Sequence, residues 1–416
     1  MTPCEDSQAR IKEAEENGWT LCVVERCQEH LLLFPRDGRI WIEYAQALMQ
    51  VSRYQDALRA LDQAWEFSSE RVRPGLCTCR AKLFRRRGDF DSAAQAYAQA
   101  ADLCHSESFV FNFAGLLEHQ RGDLRAAEDL LRRGAACVDS SSDESWLFLS
   151  GVLWALERHG EALDACEKAI SLDPESRSAR RRLEDIEAAL EVRRAPRREP
   201  WERQVLAVGD SLANEMSLRD QSLRRIKEAQ EKNWFCCALE RCEEHVRLHA
   251  NDARVWGAYA RILTEFGLYE RALEAADQAF LLCSEAAKPN ALEIRGSLWA
   301  ERGDFGQAAT AYAESLALRP VSWMFEIAGT LEWHRGDLHA AEKLLRQGTI
   351  CQAKGHDANC CWGSLVPVLW SLELYDEALQ ACIKAIQLDP EDERARASFE
   401  DLHAALAARA DLRRDT

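Results

Sequence analysis

Apolar residues recur three and four positions apart along almost the whole chain. In residues 86–103, RRGDFDSAAQAYAQAADL, Gly88 ends one helical run and Asp89 can cap the next. Phe90, Ala93, Ala94, Tyr97 and Ala100 then fall on one helical face. Ala93 and Ala100 are small enough to let a second helix approach, and Tyr97 fills the space beside them. The arrangement returns about every 34 to 36 residues, so the pattern predicts a series of short helical hairpins. No alternating apolar–polar run suggests strands.

A second, longer period contains the first. ARIKEAEENGW at 9–19 returns as RRIKEAQEKNW at 224–234. FAGLLEHQRGDLRAAEDLLRRG at 113–134 returns as IAGTLEWHRGDLHAAEKLLRQG at 327–348. HGEALDACEKAISLDPESRSARRRLEDIEAAL at 159–190 returns as YDEALQACIKAIQLDPEDERARASFEDLHAAL at 375–406. Nested self-similarity of this kind points to stacked small units, not to one enzyme core. Each copy opens with a degenerate hairpin, residues 8–34 and 223–249, with Trp19 and Trp234 at the turn. Each closes with a charged helix, near 176–192 and 392–408, as expected of a device that hides the last apolar face. The halves are therefore expected at 1–192 and 222–416, each folding separately, with a linker over 193–221. Pro196 and Pro200 break the first closing helix, and residues 202–220 can form a helix leading into the second copy.

The short unit resembles the tetratricopeptide repeat, a helix-turn-helix of 34 residues. In the first copy Trp41, Ala45, Tyr54, Ala57, Leu61 and Ala64 match one repeat. Ala81, Gly88, Ala93, Tyr97 and Ala100 match the second, and Phe111, Gly115, Gly122, Ala127, Leu131 and Gly134 the third. Trp146, Gly160, Ala162, Cys166, Ala169 and Pro174 match the fourth. The second copy matches from Trp256, Ala260, Gly267, Tyr269, Ala272 and Ala279 through to Trp362, Tyr375, Ala378, Cys382, Ala385 and Pro390. Eight units in one register imply an all-α, tetratricopeptide-type α-solenoid in two tandem superhelical halves, each of four repeats with its own opening hairpin and closing helix.

Composition narrows the function. The net charge of −17 disfavours a phosphate backbone as the main partner. No run reaches the roughly 18 apolar residues of a membrane span. The opening MTPCEDSQARIKEAEENG has no secretory apolar core, so a cytoplasmic location is expected. Arg193, Arg194, Arg197 and Arg198 form a basic spot, read either as solvated linker or as a dock for an acidic partner. The sixteen cysteines are expected to be free thiols that pack helices closely, with Cys27/Cys242, Cys137/Cys351 and Cys166/Cys382 matching between copies.

Candidate chemistry is sparse. No phosphate loop, H-E-x-x-H or G-x-S-x-G motif occurs, and no carboxylate pair stands apart from the solvated background. No catalytic residue, cofactor or metal is expected. Cys351, His356, Cys360 and Cys361 are zinc ligand types, but their spacing matches no familiar finger, and the first copy keeps only Cys137 there.

The resemblance implies that the first helix of each repeat lines a concave groove, with positions two, five, nine and twelve pointing inward. Phe109 and Trp323 take position two, Asn112 and Glu326 position five, and Arg261 position nine. His119, Trp154, Trp333 and Trp370 take position twelve. Lys82, Arg85, Gln46 and Glu293 are further inward candidates. These residues are expected to form a peptide-binding groove with aromatic anchors; the competing role for the aromatics is packing against a neighbouring cap or hairpin. The Lys–Asn–Arg clamp by which some members of the family hold acidic chaperone tails is not supplied by Ile42, Glu43 and Gln46 or by Gly257, Ala258 and Arg261. The function expected is a non-catalytic protein-interaction scaffold that binds a peptide or helix of another protein. The alternatives are a chaperone-like holder of a client subunit and, less in keeping with the residues, a solenoid enzyme or metal protein. The partner and the oligomeric state are not encoded legibly.

Overall fold

A computed structural model of the chain describes residues 3–103, 107–137, 142–194, 212–351 and 356–415, without the side chains of 142, 212–218, 356–359 and 411–415. The described residues form 22 α-helices and two short 3-10 turns, with no strand. The first copy comprises the hairpin α1 (Pro3–Glu16) and α2 (Thr20–Leu33), then four more pairs: α3 (Gly38–Gln50) with α4 (Tyr54–Phe67), α5 (Arg73–Arg86) with α6 (Phe90–Leu103), α7 (Ser108–Arg121) with α8 (Leu124–Ala135), and α9 (Ser142–Ala155) with α10 (His159–Leu172). Its closing helix is α11 (Arg177–Arg194). The second copy repeats this order. Its hairpin is α12 (Leu212–Glu231) with α13 (Phe235–Leu248). The pairs are α14 (Ala253–Glu265) with α15 (Tyr269–Leu282), α16 (Lys288–Glu301) with α17 (Phe305–Leu318), α18 (Ser322–Arg335) with α19 (Leu338–Ile350), and α20 (His356–Ser371) with α21 (Tyr375–Leu388). The closing helix is α22 (Glu393–Asp415). The fold is all-α and of the tetratricopeptide solenoid type.

Local chemistry explains the boundaries. Asp123 and Asp337, at matching N-caps, each accept the backbone N–H three residues on, from Ala126 and Ala340, at 3.0 Å. The preceding helices end on Gly122 and Gly336 in the left-handed region, with φ of 84° and 87°. Gly88 and Asp89 do the same work between α5 and α6, where Asp89 accepts from Ser92 N–H. Within the hairpins, small residues set the helix separation. A Cβ on Gly115 would lie 2.7 Å from Leu131 Cγ, and one on Gly329 equally close to Leu345. The matched thiols Cys27, Cys242, Cys166 and Cys382 are buried, whereas Cys137 and Cys351 are half-exposed at helix ends. No described cysteine forms a disulfide; Cys104 lies outside the described residues, as do Pro196, Arg197, Arg198 and Pro200.

Tertiary contacts divide the chain into two compact units that differ from the two sequence copies. One unit holds Met1–Leu103 and Tyr312–Thr416; the other holds Cys104–Ala311. Each therefore combines the opening hairpin and first two repeats of one copy with the last two repeats and closing helix of the other. In the first unit α22 packs on α2, and in the second α11 packs on α13. The closing helices do not face solvent as terminal caps. Their apolar faces, with Ile186 and Ala189 in α11 and Leu402 and Ala405 in α22, are buried in cores shared with the other copy's hairpin. Among the described residues no helix is long and apolar enough to cross a membrane.

Candidate functional site

The two junctions between copies use matching parts. In the second unit the Asp185 carboxylate accepts the first free backbone N–H groups of α13, from Cys236 at 2.9 Å and Cys237 at 2.8 Å. In the first unit Asp401 accepts those of α2, from Cys22 at 2.9 Å and Leu21 at 3.0 Å. Neither helix has a side-chain cap of its own, because Trp234 and Trp19 occupy the N-cap positions. An acid from the neighbouring helix supplies what the local sequence lacks. Farther along, Arg193 pairs with the buried Glu240 at 2.6 Å, and Arg409 with the buried Glu25 at 3.3 Å. The basic spot at 193–198 thus has a structural use for its first member.

Position twelve of the third and fourth repeats faces these junctions. Trp154 and Trp370 are 1% and 3% exposed, so they are core residues, not groove anchors. Trp154 lies tilted against His159 with ring centroids 4.3 Å apart, and Trp370 meets Tyr375 edge-on at 4.7 Å. The physical reason is the contact between copies: the turns within the first repeats abut these helix ends. Ser371 Oγ donates to Val51 O, and Tyr54 Oη lies 3.4 Å from His334 Nδ1. In the second unit Gln120 Nε2 donates to Glu301 O, and a Cβ on Gly267 would fall 2.5 Å from His119 O. Only glycine permits that approach, and its φ of +67° favours glycine as well. Burial pushes the His119 imidazole pKa down, against a hydrogen bond with the Phe266 backbone. Trp333 is half-buried against the first unit's core and stacks on His334. Trp154 and Trp370 are thus taken up by packing within their units, and Trp333 is partly so.

Position two is less buried. Phe109 and Trp323, one in each unit, are half-buried at the first turns of α7 and α18. Phe109 meets Phe113 edge-on. Position five is mostly structural: Asn112 is buried and accepts from Ser145 Oγ, while Glu326 accepts from Ser364 Oγ at 3.0 Å. Arg261 is exposed. Near it, burial pushes the Glu293 carboxyl pKa up, partly offset by the Arg261 charge. Lys82 and Arg85 are half-buried and Gln46 is exposed. A polar cleft of about 350 Å³ opens beside the first unit's junction, lined by Arg53, Asp56, Arg87, Arg335 and Glu373.

The cysteine cluster of the second copy is only partly assembled. Cys361 is buried and its thiol donates to Ser322 O, which ties α20 to α18, while Cys351 and Cys360 are half-buried. The His356 side chain lies outside the described residues. The residues missed by periodicity are the junction acids and their arginines. Their signal was present: Asp185, Arg193, Glu25 and Trp19 return as Asp401, Arg409, Glu240 and Trp234. A charge retained through duplication on a helix that otherwise varies is the mark of a fixed partner.

Models of the tetratricopeptide repeat match residues 114–177 and 362–392. No curated protein is significantly similar to the chain. Among solved structures it is similar to yeast Tom70, at 12% identity over 98% of this chain and 88% of that one, with a TM-score of 0.40. It is also similar to a chain of the APC/C Cut9–Hcn1 hetero-tetramer, at 14% identity over 99% and 96%, TM-score 0.34. A third similarity is to PilW, a type IV pilus biogenesis factor, at 14% identity over 62% and 98%, TM-score 0.36. The family matches fall on the pairs α7–α10 and on α20–α21, where caps, glycine turns and small-residue contacts follow the repeat, so the chain carries tetratricopeptide repeats over these residues.

Proposed function

We propose that the protein is a non-catalytic interaction scaffold that holds an extended or helical segment of another protein against the first helices of its repeats. The observation that carries this reading is the pair Phe109 and Trp323. Both stand at position two of a third repeat, both remain partly uncovered, and neither is required by the repeat's own packing. Large aromatics left half-exposed on such a face are the usual anchors of recognition, while polar neighbours such as Arg261 and Glu293 select among partners. Trp154 and Trp370 are buried and offer no such anchor, so the set proposed here is smaller than periodicity suggests. The acidic balance favours neutral or basic protein segments over nucleic acid.

The test uses a peptide selected from a random display library on the purified full chain. Trp323→Ala or Phe109→Ala should weaken its binding about thirtyfold, the effect of losing about 2 kcal/mol at a hot spot. The melting temperature should move little, as for a half-exposed side chain. Peptides that bind both variants as tightly as the parent would sink the proposal.

A further inference from the structure

The opening hairpins of the two copies contain the same pocket, filled in two ways. In the second copy the buried His245 sends Nδ1 to Ser222 Oγ at 3.0 Å and Nε2 toward Asp252. The Arg219 guanidinium occupies the remaining side, with Nε 2.7 Å from Asp252 Oδ2, and Arg254 adds a second pair of contacts. In the first copy His30 and Asp37 take the matching places. His30 Nδ1 lies 3.1 Å from Ser7 Oγ, and Nε2 is 3.2 Å from Asp37 Oδ2. Here Cys4 stands in register with Arg219, and Arg39, the counterpart of Arg254, turns away to Glu43. Where the second copy holds a cation, the first holds a thiol. The ligand atoms of Cys4, His30 and Asp37 all lie within 4.8 Å of one another.

We infer that Cys4, His30 and Asp37 form a site for a zinc-class divalent cation, which replaces the guanidinium of the second copy. Sulfur, imidazole nitrogen and carboxylate oxygen are the donors this ion takes, at about 2.0–2.3 Å in a tetrahedron. Ligand atoms around such an ion stand about 3.5 Å apart, so closure needs shifts of only about 1 Å. His30 is already oriented: Ser7 engages Nδ1 and turns Nε2 to the site, the outer-sphere arrangement that fixes a metal-binding histidine. Gln8, one turn beyond Cys4, reaches Asp37 Oδ2 at 2.9 Å, where the second copy has Leu223. Its amide oxygen or a water completes the fourth position. Binding releases the Cys4 proton to solvent, and thiolate plus carboxylate neutralise the dication.

The probe is cobalt(II), titrated into the full-length, reduced, chelator-stripped protein and then displaced by zinc. One equivalent should bind with visible tetrahedral bands and a sulfur-to-cobalt charge-transfer band. Cys4→Ser should abolish the charge-transfer band, and Cys360→Ala should leave it. Ser7→Ala should weaken affinity about 10- to 100-fold. Cys4→Arg restores the second copy's solution, so it should bind no metal and melt higher than Cys4→Ser in chelator. Absence of the charge-transfer band, or a band that survives in Cys4→Ser or Cys4→Arg, overturns the assignment.

Discussion

At the second unit's junction Asp185 caps α13 with Arg182 standing 3.8 Å from its carboxylate, whereas at the first unit's junction Asp401 caps α2 and Ser398 takes the place of that arginine. Burial raises both acids, but Asp401 is pushed up to about 6, with only backbone N–H groups opposing the burial. The outer ends differ too. Arg409 lies over the Tyr375 ring while it pairs with Glu25. Arg193 pairs with Glu240 beside His159, and together with burial its charge pushes that imidazole pKa down. Duplication thus preserved the geometry of the cap and let its electrostatic balance drift. The hydrogen bonds are the constant, and the counter-charges are the variable.

The most severe way to break the comparison is to separate the copies. Residues 1–194 and 212–416 expressed apart lose both junctions and expose α2, α11, α13 and α22. Because the hairpins and closing helices are duplicates, each fragment should pair with itself, and a mixture should form a one-to-one complex, visible by light scattering. Two stable folded monomers would instead mean that each copy is autonomous, the organisation expected from the repeat pattern.

Next in size are the tryptophans sealed beside the junctions. Trp154→Ala and Trp370→Ala should each cost about 3–5 kcal/mol in urea unfolding, as large core truncations do. A loss below about 1 kcal/mol in either would place that ring at the surface. The two values should be alike, since both rings are buried to a similar degree.

The smallest effect is also the sharpest discriminator between the junctions. Asp185→Ala and Asp401→Ala should each cost about 0.5–2 kcal/mol, the value of a helix cap. Their pH dependence should differ. A carboxyl raised in the folded state contributes stability that is complete below its unfolded value near 3.9 and is lost as pH rises through the folded value. For Asp401 that window runs from about 4 to about 6. The stability gap between the parent and Asp401→Asn should therefore shift toward the parent as pH falls from 7 to 4. A gap that stays flat over that range would show that the backbone N–H groups cancel the burial.

Helices, their ends and the repeat register were legible because they depend on neighbours three and four residues away. Ala93, Tyr97 and Ala100 mark a packed face, and Gly88 with Asp89 marks a boundary, without reference to distant chain. The surroundings of position twelve were not legible. Whether Trp154 or Trp370 meets solvent depends on what lies beyond the end of its helix, and that is set by a segment a hundred residues or more away in sequence, such as Val51 for Ser371.

By itself the sequence determined an all-α repeat chain, duplicated, because periodicity is a local property. Only the tertiary structure decided that the closing helix of each copy belongs with the hairpin of the other. It also brought Cys4, His30 and Asp37 together from two helices and a cap. The reason is that two related copies offer similar faces. A local pattern specifies that a face must be covered; which copy covers it is a difference in long-range packing that no window of neighbours contains.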